Sequence, residues 1–288
     1  MNSVEAISER LKEIDLTGLS VIGKGGTAEI YRLDDERIAK VFFEHIDLHT
    51  VMNEQRACRS ALKAGIPTVI PFELAKAGNC YAAVIELVNS ATFAEQIKAD
   101  AENIRRYTDF VLGLNDIKVS EKEFRAVKSQ YLEMNEHARQ YMTDEEFICF
   151  TEIINEMPDG CGFIHGDCHA GNIMQQDGEL LLIDMANAGH GHRILEAAGI
   201  FYDYVMVADI SDPVKYLGLD RETCHLIWDS YIRAYFLKYP SDNTENFIAR
   251  VRKYAKLRGL LLTLPNRDLA KAFESYLRRL SEELLADR

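Results

Sequence analysis

The stretch that decides the fold is a polar loop that reads His165-Gly166-Asp167-Cys168-His169-Ala170-Gly171-Asn172. It places a His, an Asp and an Asn at the spacing HxDxxxxN, which ordinary residue frequencies produce in roughly one chain in a hundred. Further along, Asp184 ends the apolar strand LLLI. A carboxylate at the end of a buried strand is well placed to hold a cation, although the same pattern also suits a turn or a helix cap.

Three features upstream of this loop are candidates for a functional site. A glycine-rich turn, Gly23-Lys24-Gly25-Gly26-Thr27-Ala28, lies between two predicted strands, and glycines let backbone N–H groups approach phosphate oxygens. Lys40 interrupts the apolar strand IAKVF, and Glu54 follows on the next predicted helix, where it could pair with Lys40. Taken singly, these features also fit a hairpin turn, an edge lysine and a solvated glutamate.

The distribution of patterns predicts an α+β protein with a small, antiparallel, β-rich N-terminal lobe and a larger α-helical C-terminal lobe. We predict residues 1–88 to hold a five-stranded sheet with one main helix, at 47–64, after a short helix at 4–14. Residues 89–288 are mostly helical in pattern. Within them, Asp177-Gly178 predicts a hairpin just before Asp184.

Composition excludes several classes of protein. A hydrophobic content of 47% over 288 residues rules out disorder of the whole chain. The formal net charge of -13 lies mostly in residues 89–288, disfavours nucleic acid and anionic membranes, and leaves room for a cationic small substrate. There is no apolar run long enough for a membrane span, and the six cysteines form no CxxC pair. A cytoplasmic protein is therefore predicted, while nothing in the sequence fixes its oligomeric state.

The features occur in one order: glycine loop, strand Lys, helix Glu, HxDxxxxN, strand-end Asp. That is the order in phosphotransferases of the protein-kinase type. The chain resembles their aminoglycoside phosphotransferase and choline kinase branch, because HGDCHAGN matches its HGDxxxxN and LLIDMANAGHGH is similar to its strand-end ID with a downstream A-x-x-G. The resemblance implies a bilobal protein-kinase-like fold, with nucleotide binding in residues 1–88 and the catalytic loop, the metal site and the acceptor cleft in residues 89–288. It also implies an ATP-dependent phosphotransferase that acts on an alcohol group.

The resemblance also implies roles for single residues. The phosphates of ATP would lie under Gly23, Lys24, Gly25, Gly26, Thr27 and Ala28. Lys40 would contact the α- and β-phosphates, Glu54 would hold Lys40 in place, and backbone groups from Glu86 to Val88 would bond the adenine. Asp167 would accept the hydrogen bond of the acceptor hydroxyl, as base or orienter.

Asn172 and Asp184 would bind Mg²⁺, which prefers such oxygen ligands.

Three departures from the family pattern stand out. Ile38 replaces an alanine that many kinases place against the adenine, which leaves the choice between ATP and GTP open. Ala28 stands at the third glycine of the loop, and Glu196 stands where the branch often has a second aspartate.

Parts of the sequence also fit functions other than that of a small-molecule kinase. His165, Asp167 and His169, with His190 and His192 further on, could instead form the metal centre of a hydrolase. A catalytically silent, kinase-like binding module is a second alternative, although every expected catalytic residue is present. A protein kinase is disfavoured, because no long activation segment follows Asp184.

The acceptor is a small molecule with a hydroxyl group, and the acidic helical lobe makes a cationic one plausible. Asp203 and Tyr204 could face it, as could Trp228, Tyr231 and Tyr235, although at helical spacing these aromatic residues are also typical of a core.

Overall fold

The computed structural model describes residues 3–287, and the chain divides into two units. The first unit is the chain up to Thr92 together with Asn172–Asn187, and the second is Phe93–Gly171 together with the chain from Ala188. The mixture of helices and strands matches the predicted α+β class, with a small N-terminal sheet followed by a mostly helical remainder.

The elements are as follows. The helices are α1 (Ser3–Ser8), α2 (Leu48–Lys63), α3 (Phe93–Ala99), α4 (Asn103–Leu114), α5 (Val127–Ala138), α6 (Asp144–Asn155), α7 (Ile194–Phe201), α8 (Ala208–Ile210), α9 (Pro213–Leu217), α10 (Arg221–Lys238), α11 (Thr244–Thr263), α12 (Arg267–Ala272) and α13 (Glu274–Ala286). The strands are β1 (Lys12–Glu13), β2 (Val21–Lys24), β3 (Ala28–Arg32), β4 (Arg37–Phe42), β5 (Pro71–Ala77), β6 (Cys80–Glu86), β7 (Gly162–Ile164), β8 (Ile173–Gln176), β9 (Glu179–Leu182) and β10 (Gly189–Gly191). Two 3₁₀ turns (Arg139–Tyr141 and Ala170–Asn172) and a π-helix (Tyr202–Val207) complete the described chain.

The sheet of the first unit has the order β1-β5-β6-β4-β3-β2. Its strands pair antiparallel, as predicted, except that β1 runs parallel to β5. The prediction of five strands and of a helix over 4–14 was wrong at this edge. Helix α1 ends at Ser8, and the chain then pairs Lys12 with Ala75, while the Ile14 N–H donates to Lys76 O at 2.7 Å.

Alternation along the strands builds an apolar layer on each face of this sheet. One layer consists of Ala39, Val41, Ala75, Ala82 and Val84. The other consists of Ala28, Phe42, Val51 and Ala83, of which Val51 lies on α2. Helix α2 therefore packs on the sheet through the second layer, and this packing fixes its residues relative to those of β4.

The Asp177-Gly178 hairpin is present as predicted and joins β8 to β9. Both turn residues have positive φ, 52° and 88°, as a tight hairpin turn requires. We predicted this hairpin to belong with residues 89–288, whereas its contacts place it in the first unit. Two hydrogen bonds of 2.9 Å explain the difference: Leu182 N–H donates to Pro67 O, and the Thr68 hydroxyl donates to Leu182 O.

The second unit is built around long helices. Helix α11 packs against α7 and α13, and α10 packs against α4. Side-chain caps start several of these helices, from Thr143, Asp212, Asp220, Asn243 and Asn266. Among residues 3–287, no helix is both long enough and apolar enough to cross a membrane.

Candidate active site

Lys40 is held inside the first unit by two carboxylates. It lies on β4, opposite Ala83 of β6, and is 8% exposed. Its Nζ donates to Glu54 Oε1 at 2.7 Å, and Asp184 Oδ2 lies 3.3 Å away. Burial disfavours the charged lysine, but the charges of Glu54 and Asp184 outweigh it and raise the pKa of Lys40. The lysine is therefore a fixed cation.

Glu54 shares this buried environment. It lies on α2, and it is also 8% exposed. Burial raises the pKa of Glu54, against the lowering effect of Lys40. Because α2 packs on the sheet, the sequence separation of fourteen residues becomes a direct ion pair. The pairing predicted from the sequence is present.

Asp184 follows β9 in an unusual backbone conformation. Its φ is 59°, a region that Asp and Asn adopt more readily than most residues. The Ile183 N–H donates to Asn172 O at 2.9 Å, which ties the backbone next to Asp184 to the residue that begins the hairpin. The side chain of Asp184 is 39% exposed. One carboxylate and one amide, both hard oxygen donors in the first unit, fit a Mg²⁺ ion that keeps waters and phosphate oxygens as its other ligands.

The predicted phosphate loop is the turn between β2 and β3. Gly25 N–H donates to Ala28 O at 2.9 Å, which closes the turn, and Lys24 pairs with Glu29 at 2.8 Å. Ala28 is buried, whereas the glycines are partly or fully exposed. A Cβ added at Gly26 would meet no atom within 4 Å, so neither packing nor backbone strain requires glycine there.

The segment predicted to bind adenine begins at Glu86, the last residue of β6. Glu86 N–H donates to Ile70 O at 2.9 Å, and Leu87 N–H donates to Glu36 O at 2.8 Å. Two of the three N–H groups in this segment are thus engaged within the protein. An adenine donor from this segment would be the N–H of Val88.

The loop that carries Asp167 is anchored within the second unit by buried groups. Glu196, 1% exposed on α7, accepts from His165 N–H at 2.6 Å and Gly166 N–H at 3.1 Å. Burial raises the pKa of Glu196 to about 7, although these two hydrogen bonds lower it. The sequence marked Glu196 only as a departure from a family pattern, whereas its carboxylate orders the loop.

Two tyrosines fix the end of the same loop. The Tyr204 hydroxyl accepts from Ala170 N–H at 2.7 Å, and the Tyr107 hydroxyl donates to Cys168 O at 2.6 Å. Their rings meet edge to face, with centroids 5.9 Å apart. Tyr204 therefore supports the loop, and it does not line the cavity described below.

Arg258 is a site residue that the sequence did not reveal. It lies on α11, is 7% exposed, and its Nη2 is 3.5 Å from Asp167 Oδ1. It also interacts with buried Asp203 on the π-helix. Burial and the charge of Asp167 raise the pKa of Asp203, and the charge of Arg258 lowers it. No local pattern connects positions 91 residues apart, so only the folded chain shows this group.

The histidines of the hydrolase alternative have different hydrogen-bond partners, although His169 Nε2 lies 4.0 Å from Asp167 Oδ2. His169 accepts from Gly171 N–H, His192 accepts from Ile194 N–H, and His190 contacts Gly160 O. Within residues 3–287, no three His, Cys, Asp or Glu side chains form a group that could hold a metal ion. This geometry gives the hydrolase alternative no support.

A cavity of about 270 Å³ lies within the second unit and is lined by Asp167. The π-helix contributes Tyr202 and Asp203 to its wall, and π-helices occur frequently at functional sites. Helices α11 and α13 supply Gly259 and Leu277. Trp228, Tyr231 and Tyr235 do not line it and form an aromatic core with Phe247 instead.

The chain was compared with known proteins. The model of the phosphotransferase enzyme family matches residues 18–222. A search of curated proteins found no match.

Several solved structures share the fold. One is a thermostable mutant of the aminoglycoside phosphotransferase APH(4)-Ia with ADP and hygromycin B, at a TM-score of 0.62, 10% identity and coverage of 99% of this chain and 98% of the other. Another is the streptomycin-ATP-APH(2")-IIa ternary complex, at a TM-score of 0.56, 14% identity and coverage of 99% and 98%. A choline/ethanolamine kinase family protein from Mesorhizobium loti matches at a TM-score of 0.54, 14% identity and coverage of 98% and 92%. At these identities, the likeness establishes a common fold.

Proposed function

The chain belongs to the phosphotransferase enzyme family, and we propose that it is a small-molecule kinase that transfers the γ-phosphoryl group of ATP to a hydroxyl group of its acceptor. The observation that carries this proposal is the position of buried Lys40 between Glu54 and Asp184. A lysine fixed in this way is suited to phosphate oxygens, because phosphoryl transfer depends on positioning and on neutralised charge.

At the nucleotide, the turn from Gly23 to Ala28 would supply backbone N–H groups to the phosphates. Lys40 would bind the α- and β-phosphates, and Glu54 would hold the ammonium in place. The N–H of Val88 would donate to the adenine. ATP is the proposed donor, and Ile38 leaves GTP as a second nucleotide to test.

Asn172 and Asp184 would hold Mg²⁺, which neutralises charge on the phosphates when it is bound. The chain's own contribution is to keep these two oxygen donors in fixed positions on the hairpin. The hydrogen bond from Ile183 N–H to Asn172 O does this at the backbone.

In the second unit, Asp167 would accept the proton of the acceptor hydroxyl or orient that hydroxyl for attack. The acceptor oxygen would then bond to the γ-phosphorus while the bond from phosphorus to the bridging oxygen breaks, so that ADP leaves. Glu196 and Arg258 touch the Asp167 loop rather than the proposed acceptor oxygen, and are positioning residues. A positioned base of this kind contributes about 10²–10⁴ in rate.

A cytoplasmic location is part of the proposal. It is supported by the six cysteines, all of which are free thiols in the structure.

The test measures ADP release from Mg²⁺–ATP over a panel of alcohol acceptors, including sugars, amino alcohols and aminoglycosides. Asp167→Asn removes the base with little change in shape. Asp209→Asn is the matched control, because Asp209 is half exposed and pairs with His225. Acceptor-dependent release that falls at least about 100-fold in Asp167→Asn alone supports the proposal.

Equal rates in the two variants would contradict the role of Asp167. A nucleotide titration accompanies the panel. Binding of Mg²⁺–ATP with no turnover of any acceptor would favour a silent binding module, and no binding would refute the kinase function.

A further inference from the structure

The cavity beside Asp167 is small and mostly apolar. Its volume of about 270 Å³ is below the range of about 300–1,000 Å³ that is usual for ligand pockets. Aliphatic side chains of Val207, Ile210, Leu217 and Leu277 form much of its wall. A compact ligand with an apolar body gains free energy here by removing that surface from water, whereas a large, fully hydrated ligand would not.

Exposed apolar side chains continue this surface outward. Tyr216 on α9 is 53% exposed and Leu269 on α12 is 38% exposed, and both line the cavity. Neither residue packs into the core of the unit in the way that Leu277 does. A cavity with apolar side chains at its solvent side admits an apolar group more readily than a charged one.

The charges at the inner end of the cavity are largely balanced. Asp167 and Asp203 are the carboxylates of the lining, and His169 is its other ionisable group besides tyrosines. The guanidinium of Arg258 interacts with both carboxylates. The charge of Asp203 is further diminished because burial raises its pKa. A ligand cation would therefore meet less negative charge than two unpaired carboxylates would present.

Three of the four phenylalanine and tyrosine rings of the lining, all but Phe273, already lie near a cation of the protein. An arginine or lysine of the protein already lies within about 6 Å of three of these ring centroids, where the π-electrons attract it. The pairs are Arg258 with Tyr202 at 5.9 Å, Arg279 with Tyr276 at 5.2 Å and Lys215 with Tyr216 at 5.4 Å. A ligand ammonium at these rings would meet positive charge that the protein itself supplies.

From this lining we infer that the acceptor is a compact, uncharged alcohol with an apolar body, whose hydroxyl group reaches Asp167 while the body fills the cavity between the π-helix, α9, α12 and α13. The inference rests on the proposed kinase function. It also departs from the cationic acceptor that the net charge suggested, because the acidic residues responsible for that charge are mostly outside this lining.

The test uses pairs of alcohols that share a skeleton and differ by an ammonium group. Phenylpropanol and phenylalaninol form one pair, cyclohexylethanol and its amino derivative form another, and an aminoglycoside serves as the polycationic probe. Dissociation constants are measured by calorimetry or ligand-observed NMR in the presence of Mg²⁺ and a non-hydrolysable ATP analogue, and ADP release is measured with ATP. We expect each neutral alcohol to bind at least about tenfold more tightly than its ammonium partner, since an unpaired charge is disfavoured in an apolar cavity.

A substitution at the solvent side of the cavity supplies the second measurement. Leu269→Glu adds one negative charge at a partly exposed position, and Leu269→Gln is the matched control of equal size. The glutamate should shift the preference toward the ammonium-bearing partner by about tenfold relative to the glutamine. Because Leu269 is partly exposed on α12, neither change leaves a large core cavity.

Equal or tighter binding of the ammonium partners or of the aminoglycoside would overturn the inference, as would a panel in which no neutral alcohol binds. An unchanged preference in Leu269→Glu would overturn the assignment of this cavity. The proposed function fails separately, if Mg²⁺–ATP does not bind in the same samples.

Discussion

The Lys40 ammonium lies 3.3 Å from Asp184 Oδ2, although the two residues are far apart in the sequence. They meet because β4 and the β8–β9 hairpin belong to the same unit. Asp184 is therefore paired with a lysine in the structure described here. Phosphate oxygens that reach Lys40 would replace the carboxylate as its partner. Asp184 would then be available to a cation, so the contact would link nucleotide binding to the proposed metal ligand.

Asp184→Asn should lower kcat by more than about 100-fold and leave the fold intact. Asparagine tolerates the φ of 59° at this position, whereas most other replacements would strain the backbone. Asp177→Asn is the matched control, since Asp177 also has a positive φ but lies in an exposed turn. Steady-state kinetics and thermal unfolding check both variants. Normal turnover by Asp184→Asn would refute its assignment as a metal ligand.

Lys40→Met should destabilise the protein by about 3–5 kcal/mol, because it leaves the Glu54 carboxylate buried without its partner. The double variant Lys40→Met/Glu54→Gln should recover much of that free energy of unfolding while remaining inactive. Urea titrations and measurements of kcat/KM separate the two effects. If kcat/KM of Lys40→Met fell by less than about threefold, the lysine would have no role in positioning the nucleotide.

Glu196 should make stability depend on pH. Its pKa rises from 4.5 to about 7 on folding, so the folded state binds a proton more tightly than the unfolded state between these values. The contribution of Glu196 is full below pH 4.5 and is lost as the pH rises toward 7, by roughly 3 kcal/mol. Glu196→Gln cannot titrate and should lack this loss.

The comparison requires urea unfolding of both proteins at several pH values from 4.5 to 8. The difference between their free energies of unfolding should change between pH 4.5 and about 7 and become constant above that pH. Parallel profiles for the two proteins would show that Glu196 has the same pKa in the folded and unfolded states and would contradict the prediction.

Gly26→Ala should weaken nucleotide binding by roughly three- to tenfold without changing stability by more than about 0.5 kcal/mol. The added methyl group meets no protein atom within 4 Å, so an effect on affinity would come from the ligand. Gly113→Ala serves as the control, because it is equally unobstructed but lies on α4. Calorimetric titration with Mg²⁺–ATP decides the matter, and an unchanged dissociation constant would remove Gly26 from the phosphate site.

Gly259→Ala should raise the KM for the acceptor and leave the KM for ATP unchanged. Its Cβ would lie 2.9 Å from Tyr202 Cε2, so the ring that lines the cavity must move. We expect a loss of stability of about 1–3 kcal/mol from the crowding. Initial-rate kinetics with each substrate varied in turn test this prediction, and an equal change in both KM values would point to a global disturbance.

Local sequence patterns were sufficient to predict much of the fold, and they marked the glycine-rich turn and the loop that carries Asp167 as candidate sites. The helix at 47–64 and the hairpin at Asp177-Gly178 follow from caps, periodicity and turn residues, all of which are visible within a short window. The pairing of Lys40 with Glu54 could also be predicted, because Lys40 interrupts an apolar strand and Glu54 lies on the next helix. Their roles in catalysis stay predictions until the variants are measured.

Features that form when distant segments of the chain come together could not be predicted from local sequence patterns. Strand β1 has two exposed residues and no alternating pattern, so only its pairing with β5 defines it. The π-helix continues the chain of α7 and packs against α10 and α11, and no local residue pattern predicts it. Arg258 meets Asp167 only after α11 has packed, and the cavity collects its wall from residues more than a hundred positions apart.

Every residue that lines the cavity belongs to the second unit, while Lys40, Glu54, Asn172 and Asp184 all belong to the first. Under the proposed function, mutations in the π-helix, α9 or α12 would therefore alter which acceptor binds without touching the groups proposed to bind the nucleotide. This separation would let a gene lineage acquire new substrates by drift in a few codons. A directed-evolution library aimed at a new acceptor can accordingly be confined to those three helices.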